Sequence, residues 1–340
     1  MGFTPTVYRW DDAGAPSIGT RKPSEIINIL KKCLVDGYGS KPGAGWTAPF
    51  QDASANSIVL RNSTEHGSGG FVKIWAKTAG DIANDTLFMI NAPFIDSINP
   101  DWSTTLGVSY RDFFFPSNSI INRWAIYATP LSFYFVCWGS ATGYNVVAGT
   151  TSTLPIVFIG DYESFMPGDV HLFIAISSSS LTADVPLSGN GGGNGLHSFN
   201  NGVAFGRLYE TASFTNPKLF CLQQGTLFNN GYDTTKVTNT PPPNFNMCFS
   251  PIFVALTSTY INATSTAVQY LDSAGNNTCR SMLHPIMRGK LPGLHLSVFF
   301  GCANELNIYT WQADGITWHL MPQYHFGGSR VWLSTGEWYA

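Results

Sequence analysis

Apolar positions recur at helical spacing most clearly between Pro23 and Gly37. There Ile26, Ile27, Leu30, Cys33 and Leu34 fall on one face of a helix predicted over 24–36. Ser24 is placed to cap its first turn, and Glu25 complements the positive end of the helix dipole. Gly37 can end the helix in the left-handed region. A helix with such a stripe must bury it, and a sheet is the expected partner.

Elsewhere the pattern is that of strands and turns. Runs at 57–60, 71–76 and 87–90 are β-prone and are separated by Gly, Asn and Asp clusters. The stretch at 131–138, LSFYFVCW, is apolar at successive positions, as expected of a central strand covered on both faces. Segments 156–165 and 170–176 flank Met166-Pro167-Gly168-Asp169, where Pro followed by Gly predicts a type II turn and a hairpin. Farther on, 306–312 and 317–321 flank Asp314-Gly315, a strong two-residue hairpin signal. If those two form the turn, Trp311 faces Trp318 and Tyr309 faces Leu320 across the strands. Tyr309, Trp311, Ala313, Ile316, Trp318 and Leu320 then share one side, read as core or interface. Thr310, Gln312, Thr317 and His319 share the other, read as wet.

Between these regions the pattern weakens. SSSS at 177–180, GNGGGNG at 189–195 and Pro241-Pro242-Pro243 cannot build a core, although 203–209 and 219–223 retain some strand character. The expected fold is mainly β: two β-rich, sandwich-like lobes at 1–177 and 246–340, joined by a Gly/Ser/Pro-rich segment at 178–245. The single amphipathic helix near the N-terminus packs on the first lobe.

Composition sharpens this picture. Charged residues make up only 11% of the 340, while aromatics reach 14%, against about 25% charged in an ordinary soluble domain. That balance suits strands, and it suits a subunit whose surface is covered by neighbours, since interface cores lose charge and gain aromatics. A secreted β-protein can share it. The net charge of −3 and the lack of a basic run argue against nucleic acid as a partner. No stretch approaches a membrane span, and the start, MGFTPTVYRWDD, lacks the basic and apolar segments of an export signal.

Candidate chemistry is sparse. Asp161, Glu163 and Asp169 come nearest to the carboxylate pair of a glycosidase, but they bracket a turn where ordinary polar residues are expected. The Gly run lacks the Gly-Lys-Ser/Thr ending of a phosphate loop, and no Gly-x-Ser-x-Gly elbow occurs. His66, His171, His197, His284, His295, His319 and His325 show no metal-ligand spacing. Cys33, Cys137, Cys221, Cys248, Cys279 and Cys302 form no Cys-x-x-Cys pair and are expected as free, mostly buried thiols. No catalytic, cofactor-binding or metal-binding residue is assigned. Trp311, Trp318 and Tyr309 are the candidate contacts for a partner or a glycan: an aromatic platform if their face is open, although Ile316 and Leu320 beside them argue for burial.

One resemblance spans much of the chain. Val7-Tyr8-Arg9-Trp10-Asp11-Asp12-Ala13-Gly14-Ala15-Pro16, followed by the helix, Cys33 to Gly39 and Gly45-Trp46-Thr47, resembles the N-terminus of a family of tailed-bacteriophage virion proteins. Phe158-Ile159-Gly160-Asp161 with Ser164 and Pro167-Gly168-Asp169 is similar to a second signature of that family. Arg288-Gly289-Lys290-Leu291-Pro292-Gly293-Leu294-His295 is similar to a third. The resemblance implies a structural component of the virion, made in the host cytoplasm, and supplies no catalytic residues. It leaves baseplate, fibre, neck and head open, and the tail or its tip or baseplate is the expected place. Its partners would be copies of itself and other virion proteins, and no cofactor is implied. The alternatives are a host-glycan-binding adhesin at the tail tip and a polysaccharide-degrading tail enzyme. Arg9, Trp10 and Asp11-Asp12 are expected to order the first segment through charge-assisted hydrogen bonds.

Overall fold

A computed structural model describes residues 2–101, 112–115, 121–139, 156–169, 172–176, 203–207, 218–222, 249–256, 270–271, 277–278, 286–298, 308–321 and 329–339. The fold is mainly β, with one helix near the N-terminus and with strands in three antiparallel sheets and a two-stranded ribbon. The middle sheet comprises Thr6–Arg9 (β1), Ile121–Ala128 (β7), Ser132–Gly139 (β8), Ile156–Asp161 (β9) and Phe173–Ile176 (β11), side by side in that order. An outer sheet is a meander of Thr47–Asp52 (β2), Ser57–Arg61 (β3), Phe71–Ala76 (β4), Leu87–Ala92 (β5) and Asp112–Phe115 (β6).

The third and largest sheet runs from Val203–Arg207 (β12) through Lys218–Leu222 (β13), Phe249–Leu256 (β14) and Ile286–Val298 (β17). It continues through Ser329–Ser334 (β20) and Ile316–Leu320 (β19) to Tyr309–Ala313 (β18), while Glu163–Ser164 (β10) pairs with β17. Tyr270–Leu271 (β15) and Asn277–Thr278 (β16) form the ribbon. The strand character at 203–209 and 219–223 is thus realised as β12 and β13. The runs at 177–180, 189–195 and 241–243 lie outside the described residues.

Pro23–Lys31 (α1) passes directly into a π-helical turn over Lys32–Asp36, which Gly37 closes by donating its amide to Lys32 O at 2.8 Å. Every residue of the expected stripe is buried, and Ile29 joins them. The helix packs on β4 and the π turn on β2 and β7, so the stripe fills the gap between the outer and middle sheets. The cap differs from expectation. Lys22 is the capping residue, and Pro23 stands at the first helical position, where its missing N–H costs nothing. Ser24 instead gives its amide (3.0 Å) and hydroxyl (2.7 Å) to Asp81, from the loop between β4 and β5. Glu25 folds back to accept from the amides of Lys22 and Thr20.

Strand β8 is covered on both faces, as its unbroken apolar run predicts. Phe133 meets Trp46 edge-on and Phe135 stacks on Phe114, both toward the outer sheet. Tyr134 points the other way, giving its hydroxyl to Pro292 O at 2.8 Å and packing edge-on to Trp338. A single apolar cluster therefore runs from the helix through the middle sheet to Leu291, Leu294, Met321, Leu333 and Trp338 of the second lobe. The outer sheet's far face holds a smaller cluster around Val59, Phe71, Ile90 and Ile95.

Both predicted turns form. Asp169 N donates to Met166 O at 3.3 Å across Pro167-Gly168, and Gly168 has φ +70° as a type II turn requires. Asp314 and Gly315 both have positive φ, the signature of a type I′ turn, and Trp311 pairs with Trp318 and Tyr309 with Leu320.

Candidate functional site

Two families of residues singled out by the sequence are brought to defined places, and they differ in character. The first lies on the large sheet. Register puts His295 opposite Trp332, Trp332 opposite Leu320, and Trp318 opposite both Trp311 and Ser334. Side chains directly opposite share a face, so His295, Trp332, Trp318 and Trp311 line one side of the sheet. Leu294, Leu333 and His319 line the other, and this side faces the middle sheet: His319 Nδ1 sits 2.7 Å from the Tyr127 hydroxyl. The aromatic side therefore faces away from the main core.

The side of the β18–β19 hairpin expected to be wet departs from that expectation at one end. Thr310 and Gln312 are exposed near the turn, but His319, on the same side, is carried under the sheet by the strand's length. On the aromatic side burial declines toward the turn: Trp332 is buried, Trp318 half-buried and Trp311 38% exposed. Burial therefore fits Trp332 better than Trp311. The ring of His295 stands edge-on to Trp318 at 4.9 Å, and Trp311 meets Trp332 at 6.2 Å. Burial holds the His295 imidazole below its usual range, partly offset by a hydrogen bond that the ring donates to the Gly293 carbonyl, with Lys290 adding to the lowering. Such a neutral, aromatic surface can stack on apolar faces of a ligand or partner. The side chain of Tyr309 lies outside the described residues, so only its backbone register is placed.

The second family is the set of carboxylates around the Pro-Gly turn. Each is held by its own partners. Asp161 is fully buried and accepts from the Ser68 amide at 2.7 Å and the Ser68 hydroxyl at 2.5 Å. Burial pushes its carboxyl up to about 6, against hydrogen bonds from Ser68 and Asn62 that pull the other way. Glu163 pairs with Lys290 at 3.0 Å. Asp169 accepts from Tyr162 at 3.0 Å and Ser164 at 2.8 Å, which ties the turn shut.

The first segment carries a network that the sequence indicated only in outline. Asp12 accepts from the Arg9 amide (2.7 Å), the Tyr38 hydroxyl (2.7 Å) and Lys41 Nζ (2.6 Å). Burial would raise its carboxyl, but these donors outweigh burial and hold it below the usual range. Lys41 also donates to Val7 O, and Tyr8 to Pro42 O. Arg9 forms a two-pronged pair with Asp11, and Arg123 lies over the ring of Trp10. Tyr38 belongs to the stretch that carries the resemblance, whereas Lys41 has no local signal in the sequence; the Tyr38-Gly39-Ser40-Lys41 turn brings the two together.

Cys33 and Cys137 are buried and free. The side chains of Cys221, Cys248, Cys279 and Cys302, and residues His171, His197, His284 and His325, lie outside the described residues. Among the described residues no His, Cys, Asp and Glu cluster could hold a metal ion, and no helix is long and apolar enough to cross a membrane. No family model matches the chain, and no curated protein matches it.

Proposed function

We propose that the chain is a non-enzymatic structural subunit of a tailed-bacteriophage particle, placed in the tail at its tip or baseplate. It works by self-assembly and by contacts with other virion proteins. The observation that carries this reading is where the three stretches of resemblance go. They are spent on one internal scaffold. The first supplies the Asp12 network, and the second and third pair with each other, Glu163 with Lys290 and Ser164 with Gly289. The third also passes Pro292 under Tyr134 and Gly293 under Trp338. Residues engaged in this way maintain a shape that neighbours can pack against, and a charge-poor chain suits such packing.

The test is twofold. Mass spectrometry of purified particles should detect the chain, and light scattering on the isolated protein should give a discrete oligomer, threefold or sixfold. A stable monomer absent from particles would overturn the proposal.

A second reading has its own observation, the 38% exposure of Trp311 on the outward aromatic side. In that reading the subunit is an adhesin for host-surface glycan. Loss of glycan-array binding in Trp311→Ala or Trp318→Ala, with folding intact, would favour it over a purely structural role.

A further inference from the structure

Asp161 lies where three parts of the fold meet. Its amide donates to Leu131 O at 3.1 Å, inside the middle sheet. Its carboxylate receives the loop between β3 and β4 through Ser68, and Asn62 of that loop also donates to Leu131 O at 3.0 Å. Its carbonyl accepts from the Tyr339 hydroxyl at 2.6 Å, and that hydroxyl also meets Ser132 Oγ. Next to Tyr339, Trp338 pairs with Phe3 by two backbone hydrogen bonds and seals the large sheet onto Tyr134. One residue thus joins three parts of the fold: its amide bonds within the middle sheet, its carbonyl holds Tyr339, and its carboxyl holds the outer sheet's loop.

We propose that Asp161 is a proton-binding switch that sets how tightly the 62–70 loop is held against the middle sheet. The carboxyl is fully buried, and the groups that touch its oxygens are neutral. The charged and titratable groups nearby are engaged elsewhere. Arg61 donates to Gly69 O, Glu65 and His66 pair with each other at 3.8 Å, Glu163 pairs with Lys290, and the Tyr339 hydroxyl is spent on the Asp161 carbonyl. Asn62 Oδ1, on the same loop, is buried with no hydrogen-bond partner among the described residues.

The direction follows from linkage. The folded carboxyl titrates at about 6, against about 3.9 in an unfolded chain. Between those values the folded chain keeps a proton that the unfolded chain has released to solvent. Stability from this group is therefore present at low pH and lost as pH rises through the folded value, by about tenfold in the folded-to-unfolded ratio for each pH unit in the window. Above it, a carboxylate stands in a dry junction with Ser68 and Asn62 as its donors.

The full chain is titrated by infrared difference spectroscopy, with amide exchange of 62–70 followed in parallel. The expected result is a protonated-carboxyl band with a midpoint near 6 that is absent in Asp161→Asn. Protection factors of the loop amides, which remove the intrinsic base catalysis of exchange, should fall as pH rises toward that midpoint in the wild type and stay constant in Asp161→Asn. Should that variant fail to fold, Ser68→Ala, which removes a donor to the charged form, must move the wild-type midpoint upward. A midpoint in the ordinary carboxylate range, or the same pH dependence in Asp161→Asn, would overturn the proposal.

Discussion

Asp11 and Asp12 are adjacent carboxylates with different energetic roles. Asp11 pairs with Arg9 in the open, both side chains more than a third exposed, and exposed pairs contribute about 0.2–1 kcal/mol. Asp12 is half-buried and accepts three donors, one of them a lysine; hydrogen bonds to charged groups are worth about 1.5–3 kcal/mol. Asp12→Ala should therefore cost about 2 kcal/mol in urea unfolding at pH 7, and Asp11→Ala under about 1 kcal/mol. Because the Asp12 carboxyl is held low in the fold, its contribution is present above the unfolded value of about 3.9 and is lost as pH falls below it. The gap between Asp12→Asn and wild type should thus close toward acid; a gap that widens there would contradict the assigned network. The tryptophans make a similar contrast. Trp338→Ala opens a cavity against Tyr134 and Gly293 and should cost about 3–5 kcal/mol, whereas Trp311→Ala at its exposed position should cost about 1 kcal/mol or less. Chain pattern indicated that Trp311 and Trp318 face each other, but which side of their sheet meets the core depends on β20 and β17, far along the chain.

At the level of elements, legibility followed local chemistry. The β18–β19 register was readable because Asp314-Gly315 can occupy a type I′ turn and so sets every cross-strand pair. The helix was readable from its stripe, but its cap was not, because Asp81 reaches it from 57 residues away. Asp81→Ala should lower stability by about 1 kcal/mol, in the range of a lost N-terminal cap; circular dichroism melts would show the loss, and Ser24→Ala should show less, since the backbone amide at that position still donates to Asp81. Strand β17 was not legible. Pro292 and two glycines interrupt its pattern, and such residues ordinarily mark edges and bulges. The fold accommodates them by changing partners. Lys290 and Gly289 pair with β10, pairing with β20 begins at Leu294, and the register with β14 jumps from Pro251 opposite His295 to Phe253 opposite Lys290. Pro292 thus sits in the gap between two ladders, and Gly293 beside it leaves the space that the Trp338 ring occupies.

For the whole molecule the decisive feature is the middle sheet, buried on both faces. Its strands β8 and β9 present no solvent side, so neither lobe can close its core without it. The apolar cluster is continuous from Ile26 in the helix to Trp338, and the buried area at about 25 cal/mol per Å² makes separation of the layers costly. The sequence reading of two lobes described the material of each layer; it did not show that they share a core, because Tyr134 to Pro292 and Phe3 to Trp338 are long-range contacts. Unfolding should accordingly be one transition, with far-ultraviolet circular dichroism and tryptophan fluorescence giving coincident curves in urea. Trp338→Ala should lower the midpoint of that transition without splitting it, since Leu291, Leu294 and Leu333 still join the layers. Two separated transitions in the wild type would mean that the shared core couples the layers only weakly, and the Asp161 junction would then be their main link.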